Sequence, residues 1–466
     1  MGVGGAENIR RSNMSLFVRE RSFYKTFFTL TFIIALQNLV AFSVNLTDSL
    51  MLGSYSELAL SGSAICNQIQ FLLQMMLGGI VTGMVVIATQ YWGKRQVEPI
   101  KKIFALAFWL AAGISAALAA ICFIAPQQVL NLFTNEPSVI NEGAKFLRII
   151  CLTYCIFGVT TVLLGVLRSV ETVKIGFWVS LSTFFLNFLF NYIFIFGKFG
   201  MPRMGIRGSA LSTLIARVVE LVIVLCYVKF ADKKLNLRIK NIMKIDKSYI
   251  KDYIKTGLPT VLSSTSWGIA MGVQGAVLGR LGEATIAASS IATTLFQIAS
   301  IVAYGSANAS NVIIGKTIGQ GDIGRVKQYT KTLQMLFLLI GIVTSVALFA
   351  GKVFIVGFYN ISPETKKLAG IFILVLCVTV IGTSYQMASL TGIVSGGGDT
   401  KFVLFNDLIF QWCIILPVAI LSAFVFKLPV VVTFACLKSD QILKCAVAVV
   451  KVNRFTWIKK LTRDSA

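Results

Sequence analysis

The feature that most limits what this chain can fold into is a succession of twelve apolar segments, each long enough to cross a lipid bilayer. They fall at 26–50, 60–88, 103–124, 146–167, 175–197, 208–229, 254–279, 285–315, 332–357, 367–394, 402–425 and 428–450. A hydrocarbon core of ~30 Å takes about 20 residues of helix to span, and lipid offers no partner for an unpaired backbone group. Composition agrees. The chain is 56% hydrophobic and 13% charged, against about 25% charged in a soluble domain. A soluble protein of this size still needs a wet surface, so the missing charge points to lipid as the solvent. The expected fold is all-α and integral to the membrane, with twelve transmembrane helices. Polar residues interrupt several runs, such as Gln68, Gln70 and Gln74 in the second and Ser306, Asn308, Ser310 and Asn311 in the eighth. These predict helices with one face on protein or on a watery cavity.

The formal net charge is +24. A basic chain suggests nucleic acid, but here the Lys and Arg sit in short loops between apolar runs, with no basic soluble face interleaved with aromatics. The N-terminal segment, Lys94–Lys102, Lys229–Lys255, Lys316–Lys331 and Lys451–Arg463 hold most of them, while Ser54–Ser61 has none and the loop around Glu136 and Glu142 is acidic. Lys198, Arg203 and Arg207 run against the trend. The positive-inside rule places both termini in the cytoplasm, in a multi-pass protein of the cell membrane. No cleavable signal peptide is expected, because the apolar run from Phe27 is too long and no small-residue cleavage pattern follows it.

The nine cysteines lie in apolar runs without zinc-ligand spacing, and histidine is absent. They read as small core hydrophobes. Without histidine, any proton coupling falls to carboxylates. Gly396-Gly397-Gly398-Asp399 lacks the strand–loop–helix context of a phosphate cradle and reads as a turn. No catalytic constellation is found, so an enzyme is not expected.

The chain also repeats itself. A shift of 226 brings Gly53 onto Gly279, Glu57 onto Glu283, Ser63 onto Ser289, Gly79 onto Gly305, Gly93 onto Gly319 and Lys101 onto Lys327. The halves are 1–228 and 252–466, joined by a basic linker over 229–251. Six spans in each half make a parallel pseudo-twofold repeat, two six-helix lobes with a site expected between them near the midplane.

These residues resemble the multidrug and toxic-compound extrusion family of antiporters, over nearly the whole chain. The resemblance rests on Leu36-Gln37-Asn38, on Asn45-Leu46-Thr47-Asp48-Ser49-Leu50-Met51-Leu52-Gly53 and on Ala88-Thr89-Gln90-Tyr91-Trp92-Gly93. It rests also on Leu167-Arg168-Ser169-Val170-Glu171-Thr172, on Gly257-Leu258-Pro259 and on Ser395-Gly396-Gly397-Gly398-Asp399-Thr400-Lys401. It implies a two-lobed antiporter in which inward-moving protons or sodium ions drive export of amphipathic, usually cationic drugs as the lobes rock. No cofactor is expected beyond H+ or Na+ as coupling ion. The expected partners are a small organic substrate and membrane lipid, with no nucleic acid and a monomeric chain. A related lipid-linked glycan flippase is the alternative, although such proteins usually have more spans and a more basic cavity. The chain departs from the family in three places. Thr31 stands where many members carry a first-helix proline, so a proline-driven bend is not expected. Ser263-Ser264-Thr265-Ser266-Trp267 lacks the acid that some members use as a second-lobe sodium ligand. Asn191 falls where others have Asp.

A carboxylate at membrane depth costs at least ~2.5–3.5 kcal/mol on insertion scales, which makes each one a functional candidate. Asp48, near the outer end of the first span, leads the set; its bland reading is an interfacial loop cap. Asn187 and Asn191, four apart on the fifth span, either join it in a cation site of oxygen donors or bond helix to helix. Asp407 is a second cation-coupling candidate, with pairing to Lys401 or solvation as its alternative. Arg217 and Glu220 share a helix face and read as a neutralising pair, as do Asp440 and Lys444. Glu171 and Asp399 read as turn and packing residues. Gln37, Asn45, Gln68, Gln74 and Met75 are the expected substrate-cavity residues; Gln68, Gln74, Met75 and Met76 read equally as packing residues, and Trp267 and Tyr385 are candidates of the same kind.

Overall fold

A computed structural model describes residues 17–238, 241, 245–358 and 362–463. Among these residues there are helices, turns and loops but no strand. The first half holds α1 (Arg21–Tyr55), α2 (Glu57–Gly93), α3 (Val97–Ile124), the short α4 (Pro126–Asn131), α5 (Pro137–Ile150), α6 (Leu152–Ser169), α7 (Lys174–Phe196) and α8 (Ile206–Phe230). The second holds α9 (Ile250–Gly279), α10 (Glu283–Gly319), α11 (Ile323–Phe358), α12 (Pro363–Val394), α13 (Thr400–Val425), α14 (Val430–Lys438) and α15 (Asp440–Arg454).

Ten of these helices are long and apolar enough to cross a membrane among the described residues. The twelve-helix arrangement is completed by α9 and by α14 with α15, which are more polar. The first turns of α9 carry Lys251, Asp252 and Lys255, and Ser263–Ser266 follow; α14 and α15 carry Lys438, Asp440 and Lys444. Two spans are built differently from the continuous segments expected. The fourth is entered through α5, which gives way to α6 at Cys151, and the last turns at Ser439 in mid-course. Helix α1 runs unbroken for 35 residues, as expected with Thr31 in place of proline. In α12 and α13 the helix widens to π-type turns at Ala388–Val394, Ile409–Ile415 and Leu421–Val425.

Each lobe contains six spans, and the lobes meet along a seam of small residues. The described chain ends share one face of the molecule, called basal below; the opposite face is distal. Gly79 and Gly83 of α2 lie four apart and face α9. A Cβ on Gly83 would stand 2.5 Å from the Gly257 Cα, and one on Gly79 would strike Val261. Without a hydrophobic drive between helices in lipid, such close backbone approach is what holds them together. The approach admits two hydrogen bonds from α9 to α2 carbonyls. The Tyr253 hydroxyl donates to Ile80 O at 2.9 Å and Thr260 Oγ1 to Gly79 O at 2.8 Å. Gly93 lies against Gly319, and Gly305 of α10 against the Thr31 carbonyl of α1. One apolar cluster runs through both lobes here; a second belongs to the second lobe, around the stacked rings of Phe372 and Phe434, 4.0 Å apart.

The segment after α15, read from sequence only as a basic tail, closes the basal end of the seam. Trp457 is fully buried over Gly397. The Gln90 side chain grips the passing backbone twice: Nε2 donates to Lys459 O at 3.0 Å, and Leu461 N donates to Oε1 at 2.9 Å. Arg463 pairs with Asp252 at 2.7 Å and lies over the Tyr249 ring, while its backbone N–H donates to the Tyr91 hydroxyl. Lys316 of α10 reaches Glu171 of the first lobe at 2.8 Å. In the linker, the Ser248 hydroxyl and then Lys102 hold the Asp246 carboxyl down at about 2, so its bridge to α3 stays charged at neutral pH.

Candidate cation and substrate site

The polar cluster of the first lobe grows from three packed helices. Gly176 lets α7 lie under the Gln37 side chain of α1, and Gly208 lets α8 lie on the backbone of Phe194. This packing turns the Asn187–Asn191 face of α7 toward both neighbours. Asn191 Nδ2 donates to Asp48 Oδ1 and, at 3.1 Å, to Asn187 Oδ1. Asn187 Nδ2 donates onward to Thr213 Oγ1 of α8 at 3.1 Å. Both asparagines are buried, and Asp48 is half-exposed at the edge of the cluster. The expected grouping of Asp48, Asn187 and Asn191 is therefore present, with Asn191 making the direct bond to Asp48. Thr213 was missed; a lone Thr on an apolar span carries no signal of its own. Asn191 Oδ1 is buried with no hydrogen-bond partner among the described residues. An unpaired carbonyl-type oxygen beside a carboxylate is costly unless something fills the gap, and it is the kind of donor a hard cation takes.

One turn beyond Thr213, Arg217 pairs with Glu220 at 2.6 Å and lies over the Phe157 ring, the neutralising pair expected. Asp407 sits elsewhere, in the second lobe. It bonds neither Lys401 nor water-facing groups alone: Lys444 Nζ of α15 lies 2.9 Å from Oδ1, and Ser263 Oγ of α9 donates to Oδ2 at 2.6 Å. Asp440 is within 3.9 Å of Lys444, the spacing read from sequence, and both are deeply buried. Glu171 and Asp399 bridge at the basal face, the latter to Lys451 at 2.8 Å and Lys459 at 2.7 Å. No group of three or more acidic, Cys or His side chains fit to hold a metal occurs among the described residues.

The expected cavity residues divide. Asn45, Gln68 and Gln74 are exposed, and amide side chains of this kind are costly against lipid. Gln37 is packed on α7, and Met75 fills the space at Gly268 on the seam, near the Phe71–Trp267 ring contact of 6.4 Å. Tyr385 is buried and donates to Gln334 within the second lobe. A separate pocket of about 340 Å³, lined by Gln127, Asn141, Lys145, Arg148 and Arg207, holds none of the Asp48 cluster.

The MatE family model matches residues 34–193 and again 259–421. The chain belongs to the MatE family, the multidrug and toxic-compound extrusion transporters. It is 25% identical over 403 residues to an uncharacterized transporter, YisQ, of Bacillus subtilis, covering 85% of this chain and 87% of that one. It is 24% identical to a probable multidrug resistance protein, NorM, of Thermotoga maritima, covering 92% of each. Among solved structures, a mutant of the Vibrio cholerae MATE transporter VcmN superposes with a TM-score of 0.85 at 16% identity, over 94% of this chain and 98% of that one. A MOP superfamily transporter from Pyrococcus furiosus gives 0.83 at 16% identity, over 92% and 95%. These likenesses show the fold. The chain is a multi-pass membrane transporter of the MATE family, a family of transporters rather than enzymes, which bind small molecules.

Proposed function

We propose that this MATE transporter is a cation-coupled antiporter, exchanging protons or sodium ions for amphipathic, often cationic, organic molecules by alternating access. Asp48, with Asn187 and Asn191, is the coupling site in this reading, and the cleft bearing Asn45, Gln68 and Gln74 is the substrate path. The lobes 1–228 and 252–466 rock about the seam, joined by the linker 229–251. The chain works as a monomer in the cell membrane with both termini cytoplasmic. The closed basal seam and exposed distal amides support an outward-open state.

The observation that carries this reading is the unpartnered Asn191 oxygen beside a half-exposed Asp48. Binding a proton or sodium neutralises the acid, and a single charge moved through the field gains ~2.3 kcal/mol per 100 mV, enough to bias a two-state cycle. The test is efflux of a fluorescent cation from proteoliposomes under an imposed proton or sodium gradient, one at a time. One gradient drives efflux in the parent protein, and Asp48→Asn abolishes it while remaining inserted. Undiminished efflux by that variant removes Asp48 from the mechanism.

A further inference from the structure

The charged group in the second lobe differs in kind from the Asp48 cluster. The repeat shift of 226 places Asp48 on Gln274. Gln274 is buried and pairs with Gln411 of α13 at 3.4 Å, amide to amide. The position that holds an acid in the first lobe is thus neutral in the second. The second lobe's acids lie nearer its basal half and come with their own cations. Asp407 on α13 and Asp440 on α15 flank Lys444, whose side chain is 4% exposed. Lys438, at the end of α14, is buried over the Phe296 ring at 4.9 Å and is the remaining charge near Asp440. Ser263 of α9 bonds Asp407, Gln441 donates to Asp440 at 2.7 Å, and Gln386 of α12 donates to Gln441 at 2.9 Å. Two carboxylates and two ammonium groups sum to zero formal charge.

We propose that Lys444 is the tethered counter-cation of the second lobe. Its ammonium fills, between Asp407 and Asp440, a place lined by carboxylate and hydroxyl oxygens that a free monovalent metal ion would otherwise fill. The lobe then changes sides without taking up or releasing an ion. This role rests on the antiport reading only for its consequence, that coupling belongs to the first lobe; the pairing itself is tested without transport.

Lys444→Met keeps the length of the side chain and removes its charge, leaving −1 among the remaining three groups. Carboxylate and hydroxyl oxygens are the donors that hard cations take. The measurement is thermal unfolding of purified protein at pH 8 in sodium chloride against choline chloride at equal ionic strength. The parent and Lys444→Arg are expected to be indifferent to the choice of salt. Lys444→Met is expected to gain about 4 °C in midpoint between 1 and 100 mM sodium chloride and nothing from choline. Lys444→Met/Asp407→Asn, neutral again, is expected to lose that response. Equal unfolding of Lys444→Met in both salts overturns the proposal, as does a rescue by acid alone. Should Lys444→Met fail to fold in either salt while the neutral double variant folds, the proposal is overturned as well, since no free ion then takes the vacated place. Loss of gradient-driven efflux in Asp48→Asn leaves these outcomes untouched, so the two readings fail separately.

Discussion

At the level of single residues, this protein places each membrane-depth charge in a distinct setting. Asp48 is held by amides and left half-exposed, whereas Glu220 is buried and matched by Arg217. The settings predict different consequences. Arg217→Leu leaves a buried, unmatched carboxylate and is expected to cost roughly 3–5 kcal/mol. Arg217→Leu/Glu220→Leu removes both charges and is expected to recover most of that, and thermal unfolding of the two variants in detergent measures the difference. Thr213→Val removes the acceptor of Asn187 without touching Asp48. It is expected to slow efflux severalfold through loosened positioning, at unchanged membrane insertion. The local pairs were legible in the sequence because spacing of three or four residues on a helix fixes which side chains meet. The link between Asp407 and Lys444 was not. It depends on how α13 and α15 are rotated toward each other, and residue spacing within either helix carries nothing about that rotation.

At the level of helices, the decisive contacts are made by residues with almost no side chain. The backbone of α2 meets that of α9 because Gly79, Gly83 and Gly257 leave nothing between them. Gly83→Val is expected to force the helices apart at a cost of about 1–3 kcal/mol and to weaken the basal contact. Distances between spin labels on the basal ends of α2 and α9 would lengthen, and unchanged distances would show that the seam does not depend on this approach. Helix existence and order were readable from apolar length alone. The turn at Ser439 and the join at Cys151 were not, since neither is marked by proline, and composition there stays compatible with a continuous helix. Two of the twelve spans were also more polar than the lengths of their apolar runs suggested. These are the spans that carry Ser263, Lys438, Asp440 and Lys444.

At the level of the whole molecule, the duplicated architecture was the most legible feature, because glycines, a glutamate and a lysine recur in register across the halves. The family model fits each half in turn. What the repeat could not reveal is the basal closure by residues 455–463. Gln90→Ala removes both of its grips on that segment. Each hydrogen bond contributes ~0.5–1.5 kcal/mol net, so faster amide hydrogen exchange is expected at the basal end of α2, with the distal end unchanged. Exchange rates equal to the parent's at both ends would show the segment to be passive.

Gln90 and Lys459 are 369 residues apart in sequence. During synthesis, the earlier partner is already in the bilayer long before the later one leaves the ribosome. Pairings this remote come late in assembly. The glycine-bearing side of α2 therefore waits among lipid chains, and sometimes beside unrelated helices, until its proper neighbour is inserted. Two separately expressed halves should find each other in the same membrane by the same late step.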